Sequence, residues 1–287
     1  MRKTAIIDIG SNSVRLMLTA DGKVLYKTLN TTRLGEGLAA SSRLKPEAIA
    51  RTAAAVSQFR ARAAEEGASE IRAFATAAVR CSENGKDFTA LVESMCGLKV
   101  EILSGEKEAE IGILGALGDR DGSLIDAGGA STEIIVRKSG TVVYEKSVNI
   151  GVVRLKDLCG ADAEKLAAAA SEAAEEYGTV PFVPPVFAVG GTVTTLAAVL
   201  RGMREYQPSE ITGTVISAQT MRELAARLTG MTAPEIACLP GVPAGRADVL
   251  GGGAVLYSVL MNRLKIPALT VSDSDNLEGY AKLYGLM

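Results

Sequence analysis

The sequence predicts an α/β protein with mixed β-sheets and flanking helical layers, in which one folding unit is used twice. Three observations predict it. A strand–turn–strand–turn–strand pattern occurs at two places with one spacing. Helical segments alternate with short strands between and after the two copies. Hydrophobic residues make up 47% of the 287 residues, enough for two buried cores.

The first copy begins at Thr4-Ala5-Ile6-Ile7-Asp8-Ile9, a buried strand, followed by the turn Gly10-Ser11-Asn12-Ser13 and a second strand through Leu18. Asp21-Gly22 then turns the chain into Lys23–Tyr26. The second copy runs from Ser123 through Asp126, Gly128, Gly129, Ala130 and Ser131 to Val136, and Ser139-Gly140 turns it into Thr141–Tyr144. Asp126, Gly128, Ser131, Gly140 and Tyr144 each lie 118 residues after Asp8, Gly10, Ser13, Gly22 and Tyr26, the register of a duplication.

Between the copies, Pro46 opens a helix over Glu47–Glu66 that stops at Gly67. A strand over Ile71–Ala75, a helix over Asp87–Cys96, a strand over Val100–Leu103 and a helix from Ser104 to about Leu117 follow. After the second copy come a helix over Asp162–Tyr177, a strand over Val186–Val189, and helices starting near Thr192, Ala218 and Arg246. The first domain is expected over residues 1–122 and the second over 123–272, with 273–287 packing back on the first.

Composition removes whole classes of chemistry. The chain has no histidine, which excludes Ser-His-Asp and Cys-His nucleophile pairs and histidine metal ligands. Its four cysteines form no CxxC pair, so a structural zinc site is not expected and any metal is held by oxygen, which points to Mg²⁺, Mn²⁺ or Ca²⁺. With 31 basic and 33 acidic residues, nothing suggests a nucleic-acid surface. The uncharged stretch Tyr177–Leu200 is broken by Pro181, Pro184, Pro185 and Gly190-Gly191, so a soluble, cytoplasmic protein is expected.

The two turns offer similar chemistry. An aspartate at a strand end, followed by glycine and small hydroxyl residues, lets backbone N–H groups approach a bulky anion. Asp8 with Gly10, Ser11, Asn12 and Ser13 forms one such cradle; Asp126 with Gly128, Gly129, Ser131 and Thr132 forms the other. Facing each other across an interdomain cleft, they would grip a phosphate chain, with Asp8, Asp126 or Glu133 holding Mg²⁺ directly or through water. A third anion site is expected where Val186–Val189 runs through Gly190-Gly191-Thr192 into a helix. With no histidine available, a carboxylate is the natural base for activating water, and Glu106, Glu108 and Glu110 are the candidates that spacing leaves open. Arg15, Arg33, Arg80 and Arg154 flank strand ends, where a guanidinium can fork onto phosphate oxygens. The three glycines Gly251–Gly253 inside a helix call for close backbone packing, and Asp248 stands near that helix's start.

Taken in order, Asp8-Ile9-Gly10-Ser11-Asn12-Ser13-Val14-Arg15, Ala75-Thr76-Ala77-Ala78-Val79-Arg80, Ser104-Gly105-Glu106-Lys107-Glu108-Ala109, Asp126-Ala127-Gly128-Gly129-Ala130-Ser131-Thr132-Glu133, Gly151–Leu155, Gly190-Gly191-Thr192 and Arg246–Val249 resemble the exopolyphosphatase / guanosine pentaphosphate phosphatase family, within the acetate and sugar kinase/Hsp70/actin superfamily. The resemblance spans nearly the whole chain. It implies two ribonuclease-H-like domains around a cleft. It also implies Mg²⁺-dependent removal of a terminal phosphate from polyphosphate or of the 5′ γ-phosphate from guanosine pentaphosphate, and it suggests a homodimer. Carried over by position, the water-activating base falls on Glu108, metal-linked or catalytic carboxylates on Asp126 and Glu133, and a phosphate clamp on Arg80.

The sequence departs from the family pattern at Ala130, in place of glycine; at Lys107, where an acidic residue is frequent; and at Leu277, where an arginine is common. A short form is expected, without the C-terminal helical domain of longer relatives. Two other readings accompany the hydrolase: a kinase of the same superfold, for which no adenine-site motif stands out, and a non-catalytic polyphosphate or alarmone sensor, motivated by the departures.

Overall fold

The computed structural model describes residues 2–38, 40–243 and 245–287. In chain order the elements begin with β1 (Lys3–Ile9), β2 (Ser13–Ala20), β3 (Lys23–Thr31), α1 (Pro46–Glu65), β4 (Glu70–Ala75), α2 (Ala77–Arg80), α3 (Gly85–Cys96), β5 (Val100–Ile102) and α4 (Gly105–Ala116). They continue with β6 (Gly122–Ala127), β7 (Thr132–Lys138), β8 (Thr141–Val148), α5 (Val152–Cys159), α6 (Ala163–Glu176), β9 (Val186–Val189), α7 (Gly191–Leu200), α8 (Pro208–Ile211) and β10 (Val215–Ser217). The last are α9 (Ala218–Thr229), α10 (Ala233–Ala237), α11 (Ala247–Arg263), β11 (Ala268–Val271) and α12 (Asn276–Leu283).

The chain divides into two units, Met1–Gly115 with Asn276–Met287, and Ala116–Asp275. The first division falls before the expected Gly122, because the turn ahead of β6 is tied to the second unit: Arg137 Nη1 donates to the Gly118 carbonyl at 2.7 Å, and Asp121 accepts from the Gly140 amide at 2.9 Å.

In the first unit the sheet order is β3-β2-β1-β4-β5, an antiparallel meander followed by two parallel strands. In the second it is β10-β11-β9-β6-β7-β8, the same arrangement with β10 added antiparallel at the far edge. Each is a ribonuclease-H-like sheet. β1 and β6 are central, and all but one residue of each is buried, as in strands covered on both faces.

The duplication holds at the level of single hydrogen bonds. The Gly10 amide donates to the Ser13 carbonyl and the Gly128 amide to the Ser131 carbonyl, both at 3.0 Å. The β2–β3 ladder shifts register between Leu18 and Thr19, the β7–β8 ladder between Val136 and Arg137, at equivalent positions. Asp21 and Ser139 both take positive φ at the second turn. Tyr26 and Tyr144, again equivalent, each send a hydroxyl to the end of the next long helix: to the Glu66 carboxylate at 2.8 Å and to the Tyr177 carbonyl at 2.6 Å.

Helix ends follow local chemistry. Pro46 occupies the first turn of α1, Gly97 ends α3 at φ 68°, and the Asp162 side chain accepts the Glu164 and Lys165 amides to open α6. In α11 the glycines serve close packing. A Cβ on Gly253 would stand 2.3 Å from Thr192 Cγ2, at the start of α7. Among the described residues no helix is long and apolar enough to cross a membrane.

Each unit has its own core. The second is filled by residues such as Ile125, Ile134, Leu196, Leu256 and Tyr257. The first has one cluster around Ile7, Leu16, Val56 and Phe88 and another where Ile6, Met17 and Phe74 meet Ile111, Leu277 and Tyr280.

Candidate active site

In the first unit, the β1–β2 turn pairs its carbonyls and leaves two successive amides without a protein acceptor among the described residues. The Ser11 carbonyl accepts the Gly35 amide at 2.8 Å, and the Asn12 carbonyl accepts the Thr32 and Arg33 amides at 3.1 and 2.8 Å. The Ser11 and Asn12 amides donate to no protein group among the described residues. Successive amides without a protein acceptor suit an anion. Asn12 Oδ1 is also buried without a protein partner.

Asp8 and Arg15 face each other across the β1–β2 ladder. Arg15 Nε donates to Asp8 Oδ2 at 2.9 Å, and Arg15 Nη2 donates to the same oxygen. The residues expected to hold metal and phosphate separately are thus paired, because register puts both side chains on one sheet face.

Glu108 stands one turn into α4. It is 7% exposed, whereas Glu106 and Glu110 on the same helix are exposed. The fold thereby separates three glutamates that spacing alone leaves equivalent. Arg80 Nη1 donates to Glu108 Oε2 at 2.7 Å and to the Leu103 carbonyl at 2.9 Å. Thr76 adds a side-chain hydrogen bond. Burial pushes the Glu108 carboxyl above the ordinary carboxylate range; Arg80 and Thr76 pull against that rise, and the negative charge of Asp8 adds to it.

The second unit repeats the turn. The Gly128 carbonyl accepts the Val152 amide at 3.0 Å, and the Gly129 carbonyl accepts those of Val153 and Arg154 at 2.9 and 3.1 Å. Here the first turn of α5 caps the loop carbonyls, as residues 32–35 do in the first unit. The amides of Gly129, Ala130 and Ser131 donate to no protein group among the described residues.

At the position equivalent to Arg15 stands Glu133, directly across from Asp126. Two carboxylates facing each other on one ladder repel unless positive charge stands close. Glu133 is 5% exposed, and its Oε1 accepts the Ser147 hydroxyl at 2.6 Å. Asp126 Oδ1 lies so near Gly190 that a Cβ there would come within 2.8 Å of it; Gly190 has φ +89°, a conformation glycine adopts without strain. At the adjoining Gly191, a Cβ would fall 1.7 Å from Arg246 Nη1. The N-terminus of α7 is therefore flanked by a carboxylate and a guanidinium that is itself 8% exposed overall.

Thr132 is a correction. It is fully buried in β7, and its hydroxyl donates to the Ile150 carbonyl at 2.5 Å, so it secures the hairpin instead of offering a group to phosphate. Ser13 closes the first hairpin through its carbonyl, and Arg154 Nε donates to the Ala130 carbonyl at 3.2 Å. Asp248 pairs with Lys156. Sequence reasoning did not single out Thr76, Ser147 or the role of Arg246. Arg246 follows Gly191 by more than fifty residues, and no local pattern joins them.

Mg²⁺ commonly uses one or two carboxylates and completes its octahedron with water and substrate phosphates. Asp126 and Glu133, paired carboxylates on one face, fit that requirement. Asp8 fits it less well, since Oδ2 already receives a guanidinium. Among the described residues no group of three or more acidic or cysteine side chains forms a cage by itself.

The profile of the Ppx/GppA phosphatase family matches residues 16–281. The chain belongs to this family. It is 32% identical to exopolyphosphatase 2 of Mycobacterium tuberculosis, with 98% of each chain covered. Among solved structures it is similar to an exopolyphosphatase-like protein (28% identity, TM-score 0.88, 99% of each chain). It is also similar to a Ppx/GppA family member of Aquifex aeolicus (25% identity, TM-score 0.79, 99% of this chain and 98% of that one).

Of the three departures from the Ppx/GppA family pattern, Ala130 lies in the second turn itself, whereas Lys107 and Leu277 lie outside the groups just described. Ala130 has no positive φ, so its methyl costs no backbone strain, and its amide is among those left open. Lys107 points away from Glu108, lying 5.4 Å over the Tyr284 ring and 3.7 Å from Glu110. Leu277 is fully buried in the apolar cluster beneath β1 and β4.

Proposed function

We propose that this Ppx/GppA phosphatase removes the terminal phosphate of inorganic polyphosphate, the 5′ γ-phosphate of guanosine pentaphosphate, or both, by attack of water with Glu108 as base. The observation that carries the reading is Glu108 itself: a buried carboxylate, raised above its usual range and held at 2.7 Å by Arg80, in a protein without histidine.

Glu108 accepts a proton from water as the water oxygen bonds to the terminal phosphorus. The bridging P–O bond breaks, and its electron pair leaves with the shortened chain. The open amides of Ser11 and Asn12, and those of Gly129, Ala130 and Ser131, suit phosphate oxygens, as does the N-terminus of α7 at Gly190, Gly191 and Thr192. Arg80 holds Glu108 in place and puts positive charge beside it. Asp126 and Glu133 would hold Mg²⁺, with Mn²⁺ as a substitute, and the ion would supply charge neutralisation on the phosphoryl oxygens.

The test is inorganic phosphate release from both substrates, with and without Mg²⁺, for the wild type and Glu108→Gln. The variant is expected to fold and to lose activity by about 10²-fold or more, the usual worth of a positioned base. Undiminished turnover by Glu108→Gln would remove that residue from the role. Binding of either polyanion without phosphate release by the wild type would replace the hydrolase with a sensor.

A further inference from the structure

The last helix touches the elements that carry the proposed base and its partners. A Cβ built on Gly279 of α12 would lie 1.6 Å from the Ile111 carbonyl oxygen and 3.0 Å from the Gly115 amide nitrogen. Both are backbone atoms of α4, which cannot swing aside as a side chain would. Ile111 lies three residues after Glu108, so the contact is one helical turn from the carboxylate. The next residue, Tyr280, stacks on Phe74 with ring centroids 4.7 Å apart. Phe74 is in β4, two residues before Thr76. The Tyr280 and Tyr284 hydroxyls each donate to the Glu101 carboxylate at 2.8 Å, from the strand that ends just before the Leu103 carbonyl to which Arg80 donates.

We propose that α12 is a brace for catalysis and Gly279 a positioning residue, whose bare backbone lets α12 seat on α4 at the height that brings Glu108 to Arg80 and Thr76. The inference rests on the reading of Glu108 as the base. Helices with side chains at their contact pack about 8–10 Å apart, and only a missing Cβ permits backbone-to-backbone approach of this kind. An added methyl must drive α12 and α4 apart, and a 2.7 Å hydrogen bond does not survive a shift of about an ångström.

Gly279→Ala is the direct test, read by steady-state phosphate release per folded molecule. A misplacement of about 1 Å costs about 10²-fold, so kcat should fall by about ten- to a hundred-fold. KM should remain within about two-fold, because the anion-binding loops are untouched. The acid limb of the kcat profile should move to higher pH as Glu108 loses Arg80 and Thr76, leaving burial and Asp8 to act on it. Tyr280→Leu removes the stack on Phe74 and should give a smaller loss of the same kind; it decides the matter if Gly279→Ala does not fold.

Val92→Ala, in the other apolar cluster of the unit, is the control that lowers stability while leaving kcat unchanged. A folded Gly279→Ala with wild-type kcat and pH profile overturns the brace, as does a loss seen only in KM. If Glu108→Gln is inactive in the same assays, the base assignment stands and the brace alone fails. If Glu108→Gln turns over normally, the base reading fails first.

Discussion

At Glu108 the competing influences can be separated. Burial raises the carboxyl, Arg80 and Thr76 lower it, and Asp8 raises it, with a net upward shift. As the proposed base, Glu108 must be ionised to act, so kcat should decline as pH falls through that raised value. Arg80→Met removes the largest opposing influence, and the acid limb should then move to higher pH; a limb left in place would detach Arg80 from the base. The sign for stability is the reverse of an ordinary salt-bridged carboxylate. Below the unfolded value of 4.5 the proton is bound in both states and Glu108 costs nothing. As pH rises from there through the folded value, the folded state must give up a proton it holds more tightly, and stability falls. Glu108→Gln should therefore show a flatter stability–pH curve over that window, measured by denaturant unfolding.

Among the elements, the hairpins carry the duplication and the long helices lock it. Tyr26 and Tyr144 are equivalent, yet their hydroxyls meet different partners. Tyr26 donates to Glu66, which also receives Arg62 Nε at 2.9 Å at the surface. Tyr144 donates to the main-chain carbonyl of Tyr177, a buried residue. An exposed acceptor can turn to water and a buried one cannot. Tyr144→Phe should cost about 1–2 kcal/mol and Tyr26→Phe about 0.5 kcal/mol or less, in urea unfolding. Equal losses would mean that the two helix ends are equally solvated. Of the two carbonyl-capping segments, the first turn of α5 falls in the Gly151–Leu155 motif, whereas residues 32–35 carry no motif. Both occupy the carbonyls of the turns and leave the turn amides without a protein acceptor among the described residues.

For the whole molecule, the chain leaves its first unit at Gly115 and returns to it at Asn276. The returning segment is part of the core, since Leu277, Tyr280 and Ala281 are at most 2% exposed against Ile6, Met17 and Phe74. Leu277→Ala should destabilise the first unit by about 2–5 kcal/mol, as a leucine truncated in a closed core does. The measurement is amide exchange in β1 and β4, which should accelerate while exchange in β6 and β9 does not. Uniform acceleration across both sheets would mean that the units unfold as one.

The two hairpins, their common spacing and most helix starts are legible in the sequence, because a Gly turn, an Asp-Gly corner or an Asp cap acts locally along the chain. The sequence also ruled out histidine chemistry and made a carboxylate the expected base. Tertiary packing alone buried Glu108 while leaving Glu106 and Glu110 exposed, tied the Thr132 hydroxyl to the Ile150 carbonyl and brought Arg246 onto Gly191. Those outcomes depend on which helix face is buried and on contacts between segments far apart in the chain. Such contacts leave no local periodicity to read, since packing imposes them only after the strands have found their neighbours.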